Sequence, residues 1–236
     1  MRVMSLGLQK LAGDRLRAIL AALTTNRFTG IVGGFVITGI IQSSSATTVL
    51  VVSFANAGLL SMFQAVGLVM GANIGTTITG WLVSIFGFKV KITAFALPMI
   101  GIGFPLSFFS SQRMRNLSEV LVGFGLLFLG LGFLKAGVPT IDPSNPADLA
   151  TIEFIRKFTD YGFGSTLLFV LIGTVLTVVV QSSSATMAIT LVLADQGWID
   201  FELAAAMVLG ENIGTTITAN LAAIGATRNA IRVARF

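Results

Sequence analysis

The chain has 236 residues, of which 54% are hydrophobic and 11% are charged, and its mean hydropathy is +0.91. No water-soluble core of this length needs so much apolar surface, so the composition predicts an integral membrane protein. The net charge of +5 comes from basic residues scattered among apolar segments, which argues against nucleic-acid binding. The chain has no Cys and no His, which excludes disulfides, thiolate sites and the commonest metal ligand and general base.

The first quarter of the chain predicts an interfacial helix followed by a hairpin. Residues 6–27 have the spacing of an amphipathic basic helix at the membrane interface. Two apolar arms, 30–41 and 46–60, flank the polar stretch Gln42–Ser45, and each is too short to cross a hydrocarbon core of about 30 Å comfortably. We favour a re-entrant helical hairpin with the serines at its tip over a single long helix broken at the serines.

The rest of the chain predicts further helices, giving an all-α protein. Residues 62–87 form a long apolar segment interrupted at Gly71–Thr77, which predicts a broken transmembrane helix. More crossings are predicted at 92–111 and 117–135, followed by a polar loop at 137–150. The second half then predicts a short amphipathic helix at 151–161, a hairpin of 163–180 and 185–199 around Gln181–Ser184, and a broken crossing at 203–226.

Two polar motifs each occur twice, 139 residues apart. Gln42–Thr47 returns as Gln181–Thr186, and Asn73–Thr79 returns as Asn212–Thr218. Over the aligned region from Gln42 to Thr79, 18 of 38 positions are identical, most of them inside the motifs. A repeat kept only for packing would need apolar character rather than particular hydroxyls and amides. The pattern therefore predicts two half-sites that together build one site.

The number of crossings predicts the relation between the halves. Three predicted crossings separate the hairpins, so the second hairpin enters from the opposite face and the repeats, residues 1–116 and 117–236, have inverted topology. Ten of the 15 Lys and Arg fall on the face that holds the N-terminus. The positive-inside rule then places both termini in the cytoplasm of a multi-pass protein of the inner (plasma) membrane. The first repeat lacks a counterpart of helix 117–135 and the second lacks a last helix, so we expect a piece of a longer transporter.

The repeated motifs favour binding of an anion and a cation. A Gln-Ser-Ser-Ser tip places hydroxyls, an amide and free backbone N–H groups at the start of a helix, where the helix dipole favours an oxyanion. Unwound carbonyls around Gly71, Gly75, Gly210 and Gly214, together with side-chain oxygens, would suit a hard cation such as Na⁺. Opposite charges that bind side by side neutralise each other, which is the physical basis of symport.

Several residues have alternative interpretations. Ser and Thr in apolar helices often only bond neighbouring helices, but the doubling favours a binding site. Glu211 has Ala72 as its repeat partner and is interpreted as a Na⁺ ligand or proton acceptor, or else as a buried partner of Asn220 or of a backbone N–H. A serine hydrolase would need a general base near Ser43 or Ser182, and none is available at hairpin depth, so we predict that the chain is not an enzyme.

The doubled Gln-Ser-Ser-Ser motif with Asn-Ile-Gly-Thr-Thr resembles the type II sodium/phosphate cotransporter family in its bacterial branch, over nearly the whole chain. The resemblance implies an elevator-like or alternating-access symporter that imports inorganic phosphate with Na⁺ and holds it between the two hairpin tips. The phosphate-binding residues it implies are Gln42, Ser43, Ser44, Ser45, Gln181, Ser182, Ser183, Ser184, Asn73 and Asn212. The residues expected to bind Na⁺ are Thr47, Thr76, Thr77, Thr186, Thr215, Thr216 and Glu211.

The expected partners follow from this reading. They are inorganic phosphate, Na⁺ as the coupling ion, the lipid bilayer, a second copy in a homodimer, and a PhoU-like cytoplasmic domain in a longer parent protein. No other cofactor and no nucleic acid are expected. Hydroxyl and backbone donors do not distinguish phosphate from sulfate, arsenate or an organic anion, so a Na⁺-coupled carrier of another anion remains the alternative.

Overall fold

The computed structural model describes residues 3–4, 6–7, 10, 26–89, 93–139 and 148–235, and every regular element in these ranges is a helix. Most of the predicted interfacial helix at 6–27 and most of the polar loop at 137–150 lie outside the described residues. The helices in chain order are α1 (Arg27–Ile41), α2 (Ser44–Asn56), α3 (Met62–Gly75), α4 (Thr77–Leu82) with a π-helix (Val83–Lys89), α5 (Thr93–Leu106), α6 (Gln112–Gly137), α7 (Leu149–Thr159), α8 (Phe163–Val180), α9 (Ser183–Asp195), α10 (Phe201–Ala222) and α11 (Arg228–Arg235).

Three stretches within the described part are long and apolar enough to cross a membrane: Met62–Gly87, Gln112–Gly137 and Phe163–Val180. The first two match the predicted crossings at 62–87 and 117–135. Helix α5 has only 14 residues and contains Pro98 and Pro105, so it is shorter than the predicted crossing at 92–111. The inverted relation of the halves depends on that crossing and stays a prediction.

Each predicted hairpin corresponds to two consecutive helices joined by a two-residue turn. Helices α1 and α2 meet at Gln42-Ser43, and α8 and α9 meet at Gln181-Ser182. Helix α8 is itself long enough to cross a membrane, whereas α1, α2 and α9 are shorter. The re-entrant path of either hairpin therefore stays a prediction.

The predicted break in the second long helix is wrong. Helix α10 runs without interruption from Phe201 to Ala222, through the Asn-Ile-Gly-Thr-Thr motif. In the first half the break is reduced to a boundary at Thr76, where the backbone keeps right-handed angles (φ −62°, ψ −26°). Threonine hydroxyls donate back to their own helix, Thr76 to the Ala72 carbonyl at 3.3 Å and Thr215 to the Glu211 carbonyl at 2.9 Å. These bonds are compatible with continuous helix, and in α10 the motif does not interrupt the helix.

The chain divides into two compact units. One consists of Met1–Leu129 with Thr216–Phe236, and the other of Gly130–Thr215. The units are defined by contacts between residues, whereas the predicted repeats are defined by sequence. The repeat boundary at residue 116 therefore stays a prediction.

In the first unit, α1 packs against α3 through glycines. A Cβ on Gly34 would lie 2.0 Å from the Leu68 carbonyl oxygen, and a Cβ on Gly71 would lie 2.0 Å from the Ile31 carbonyl oxygen. Only glycine allows backbones to approach this closely. The expectation of unwound carbonyls is therefore wrong at Gly71, Gly210 and Gly214, because these glycines lie inside helices and at helix contacts. Gly75 is the last residue of α3, beside the boundary at Thr76, and it also lies at a helix contact.

The same contacts recur in the second unit at positions 139 higher. A Cβ on Gly173 would lie 2.2 Å from the Met207 carbonyl oxygen, and one on Gly210 would lie 2.0 Å from the Val170 carbonyl oxygen. Gly214 lies against Thr177, as Gly75 lies against Thr38 in the first unit. The sequence repeat thus corresponds to repeated local packing.

Helices α2 and α11 complete the core of the first unit. The end of α10 and the helix α11 contribute Ala219, Ala223, Ala230 and Val233 to a buried cluster with residues of α1, α2 and α3. The Thr227 backbone N–H donates to Asn56 Oδ1 at 2.7 Å, which joins the start of α11 to the end of α2. This polar contact and the apolar cluster hold α11 in place beside the first hairpin.

Candidate functional site

The two hairpin tips share an unusual backbone conformation. Gln42 (φ 58°, ψ 33°) and Gln181 (φ 56°, ψ 31°) are the only residues other than glycine with positive φ in the described part of the chain. The serine after each is extended, with φ −152° at Ser43 and φ −155° at Ser182. A left-handed conformation costs a residue with a Cβ about 1 kcal/mol or more, and such strain concentrates at functional sites. The two tips therefore hold the same strained turn at equivalent positions.

Each tip begins a helix whose N-terminus is capped by the first serine. Ser43 Oγ accepts from the Ala46 N–H at 3.2 Å, and Ser182 Oγ accepts from the Ala185 N–H at 3.3 Å. The other N–H groups of a first helical turn have no partner within the helix, and the helix dipole makes this end positive. Neither α2 nor α9 carries an acidic residue in its first turn. The tips are thus two similar clusters of donors without a neighbouring negative charge on the same turn.

The remaining serines differ in exposure. Ser44, Ser183 and Ser184 are buried, while Ser45 is half-buried. Because polar groups buried in apolar surroundings need hydrogen-bond partners, buried hydroxyls at a helix start are suited to hold a polar ligand.

The two glutamine side chains also differ. Gln42 is buried, its Nε2 donates to the Gly39 carbonyl at 2.6 Å, and its Oε1 accepts from Thr79 Oγ1 at 2.9 Å. This second bond joins the first tip to the end of the Asn-Ile-Gly-Thr-Thr-Ile-Thr motif. Gln181 is exposed and its Nε2 donates to the Val178 carbonyl at 2.5 Å.

The threonines that follow the serines are fully buried. Thr47 Oγ1 donates to the Ser43 carbonyl at 3.0 Å and accepts from Thr38 Oγ1 at 3.0 Å. In the second half Thr186 Oγ1 donates to the Ser182 carbonyl at 3.1 Å, but the buried hydroxyl of Thr177, the counterpart of Thr38, has no partner. The two halves thus have threonines at equivalent positions, but these threonines do not make all of the same hydrogen bonds.

The residues of the second motif lie on helices and bond mainly to their own backbone. Asn73 and Asn212 are half-buried, and Asn212 Nδ2 donates to the Val208 carbonyl at 3.3 Å. Thr77 is exposed and donates to the Ile74 carbonyl at 2.7 Å, and Thr216 is also exposed. Of the residues that the sequence singles out in this motif, Thr76 and Thr215 are buried.

Glu211 is a buried carboxylate within α10. Its Oε1 accepts from Thr190 Oγ1 at 2.7 Å, and its Oε2 is buried without a partner. The proposed partnership with Asn220 is wrong, because Asn220 Nδ2 donates to the carbonyls of Thr216 at 3.0 Å and Ala234 at 3.3 Å. The described residues contain no cluster of three or more His, Cys, Asp or Glu that would form a metal site. A cation would therefore bind to hydroxyl oxygens, carbonyl oxygens and this single carboxylate.

Sequence reasoning missed Thr38, Thr79 and Thr190, which bond to predicted site residues. Thr38 and Thr79 recur 139 residues later as Thr177 and Thr218, so the repeat itself carried the signal that would have found them. Thr190 has Val51 as its counterpart and carried no such signal.

The family model described as Na⁺/Pi-cotransporter matches residues 1–136 and 149–235. The "Uncharacterized protein YqeW" of Bacillus subtilis is 31% identical over 227 residues, covering 95% of this chain and 69% of that protein. The "Putative inorganic phosphate export protein YjbB" of Escherichia coli is 30% identical over 228 residues, covering 97% of this chain and 40% of that protein. The chain thus spans well under half the length of this second relative.

The "Sodium-dependent phosphate transport protein 2A" of Ovis aries is 40% identical over 76 residues, which is 32% of this chain and 12% of that protein. No solved structure matches the chain significantly. The family match covers nearly all of the chain and includes both tips with their strained glutamines. The chain therefore belongs to the Na⁺/Pi-cotransporter family, a family of transporters rather than enzymes.

Proposed function

We propose that this chain forms the membrane part of a Na⁺-coupled symporter that imports inorganic phosphate by alternating access. The single observation that carries the proposal is the pair of equivalent tips. Each has a left-handed glutamine, a capping serine and a helix that begins at the serines. Support also comes from the family and from the name of the Ovis aries relative, which is a sodium-dependent phosphate transport protein.

Phosphate binding is assigned to the tips. Helix N-termini bind phosphate oxygens through backbone N–H groups and the positive end of the dipole. The serine hydroxyls add donors, and buried serines such as Ser44 and Ser183 provide them away from bulk water. We assign Gln42–Ser45 and Gln181–Ser184 to phosphate, with Asn73 and Asn212 as further predicted contacts.

Na⁺ binding is assigned to oxygens close in sequence to the tips and the second motif. A hard cation prefers oxygen ligands, and threonine hydroxyls that donate to their own helix keep a lone pair for it. The assigned residues are those predicted from sequence: Thr47, Thr76, Thr77, Thr186, Thr215, Thr216 and Glu211. A cation bound with phosphate lowers the cost of carrying either charge through a low-dielectric region.

The topology follows the sequence prediction. The halves are inverted repeats, each hairpin is re-entrant, and both termini lie on the cytoplasmic side of the inner membrane. Helices long enough to cross a membrane support the location, and the glycine contacts that recur within each half support the repeat.

Phosphate export is the second candidate function. It is favoured by the name of the Escherichia coli relative, an inorganic phosphate export protein. The same tips would serve either direction, because the ion gradient and not the site decides which way a coupled solute moves. A carrier of another anion uses the same donors and is the third possibility.

The test is uptake of radiolabelled phosphate into proteoliposomes with an inward Na⁺ gradient, against an equal K⁺ gradient. The proposal predicts uptake that requires Na⁺ and survives excess sulfate. Phosphate release from loaded vesicles in the absence of Na⁺ would favour export. Inhibition of phosphate uptake by excess sulfate would favour a carrier of another anion.

A further inference from the structure

A buried polar pair, Thr190 and Glu211, joins α9 to α10. Thr190 is 0% exposed and Glu211 is 1% exposed. Thr190 Oγ1 lies 2.7 Å from Glu211 Oε1 and 3.2 Å from the Thr186 carbonyl oxygen. The hydroxyl has one proton to donate, and a carboxylate at the shorter distance is the stronger acceptor. Thr190 therefore holds one oxygen of Glu211 in place.

The other oxygen of Glu211 is left without a bond. Glu211 Oε2 is buried and has no hydrogen-bond partner. From Phe163 to Ala222, which includes all of α8, α9 and α10, the sequence has no Lys, Arg or His. The other acidic residues on these helices are Asp195, which pairs with Lys135 at 2.9 Å, and the exposed Glu202. The buried carboxylate thus has no countercharge from its own helices, and an ionised carboxylate without one is costly.

The equivalent positions of the first half hold no such pair. The positions equivalent to Thr190 and Glu211 are Val51 and Ala72, both 0% exposed. Both members change together, from two polar residues in the second half to two apolar residues in the first. If the two side chains only filled space, their polarity would not need to change together. The pair is therefore a chemical difference between halves that otherwise share tip geometry.

We propose that Thr190 is a positioning residue that orients Glu211 so that Oε2 binds the coupling cation, giving the second half a charged ligand for a monovalent cation that the first half lacks. This inference rests on the proposed Na⁺ coupling. The carboxylate supplies the full negative charge that the threonine hydroxyls and carbonyls do not. The cation in turn supplies the missing countercharge. The two halves then contribute unequally, with anion donors at both tips and the charged cation ligand in the second half.

The test is Thr190→Val, which keeps the shape and installs the residue found at Val51. The purified full chain is titrated with Na⁺ in choline buffer while its melting temperature is recorded, and phosphate uptake is measured against Na⁺ concentration. Losing the bond should raise the Na⁺ concentration for half-maximal effect about ten-fold in both assays, the equivalent of about 1.4 kcal/mol. The phosphate KM at saturating Na⁺ should stay unchanged, and Thr190→Ser should restore the wild-type Na⁺ dependence.

Two further variants make the result specific. Thr174→Val removes another threonine hydroxyl of the same unit, one that donates to the Val170 and Gly210 carbonyls, and should leave the Na⁺ dependence unchanged. Glu211→Gln should weaken Na⁺ binding at least as much as Thr190→Val does. The double variant should need no more Na⁺ for a half-maximal effect than Glu211→Gln alone.

The outcomes separate this inference from the proposed function. Wild-type Na⁺ dependence in Thr190→Val or in Glu211→Gln overturns the inference, as does a wild-type protein that Na⁺ does not stabilise. Na⁺ stabilisation that Thr190→Val weakens, in a protein that takes up no phosphate, supports the cation position and overturns phosphate symport.

Discussion

Gly71→Ala tests the assignment of the motif glycines to close helix packing. The added Cβ would lie 2.0 Å from the Ile31 carbonyl oxygen and 2.8 Å from the Phe35 backbone nitrogen. Ordinary contact begins at about 3.4 Å, so α1 and α3 must separate by about 1.4 Å at this point. The obstructing atoms are backbone rather than a flexible side chain, and the same contact is made in return by Gly34 against Leu68. The strain therefore cannot be relieved by a change of rotamer.

The expected cost follows from two opposing effects. Overpacking a close-packed interface costs about 1–3 kcal/mol, and a backbone obstruction places this site near the upper end. Alanine gains about 1 kcal/mol over glycine in helix propensity. The net loss is about 2 kcal/mol, which for a protein of this size lowers the melting temperature by about 4–8 °C.

The assay is thermal unfolding of the purified chain in detergent, with Gly101→Ala as the matched control. Gly101 lies inside α5, and a Cβ there would meet no atom within 4 Å, so the control should melt at or above the wild-type temperature. A Gly71→Ala protein that melts as high as the control would refute the packing account and restore the unwound-helix interpretation.

Three further predictions concern the tips and the topology. Thr38→Val should lower the free energy of unfolding by about 1 kcal/mol, because it breaks the hydrogen bond to Thr47. Thr177→Val removes a hydroxyl that has no partner, so it should leave the free energy of unfolding unchanged or raise it. Equal losses of stability in chemical unfolding would contradict this prediction. Thr79→Val removes the bond to Gln42 Oε1 and should raise the phosphate KM several-fold, and an unchanged KM in uptake assays would exclude Gln42 orientation as a binding factor. A tag after the C-terminal residue should be protected from protease in sealed right-side-out cells, and cleavage from outside would reverse the topology.

The helices and the positions of the tips could be predicted from sequence because their signals are local. Apolar runs end at Ile41 and Val180, where the structure ends α1 and α8, and the repeat identifies Gln42 and Gln181 as equivalent. The left-handed backbone at these glutamines had no sequence signal, because that conformation is usual for Gly or Asn.

The motif glycines were misread because one residue type serves two purposes. Gly in an apolar helix marks either a break or a close helix contact, and the sequence does not show which backbone lies opposite. The atoms that decide the case at Gly210 belong to Val170, 40 positions earlier in the chain. Likewise the partner of Glu211 lies on a separate helix, at Thr190, and has no counterpart in the first half.

The central claim is that the serine tips bind phosphate during Na⁺-coupled transport. The most direct measurement compares Na⁺-dependent phosphate uptake by Ser44→Ala and Ser183→Ala proteoliposomes with that by Ser53→Ala and Ser84→Ala, two serines outside the repeated motifs. Ser53 Oγ donates to the Val49 carbonyl of its own helix and is exposed, so its loss should matter little. The account predicts that both tip variants raise the phosphate or Na⁺ concentration for half-maximal uptake at least ten-fold while both controls transport as wild type. Equal effects in all four variants would contradict the assignment of the site to the tips.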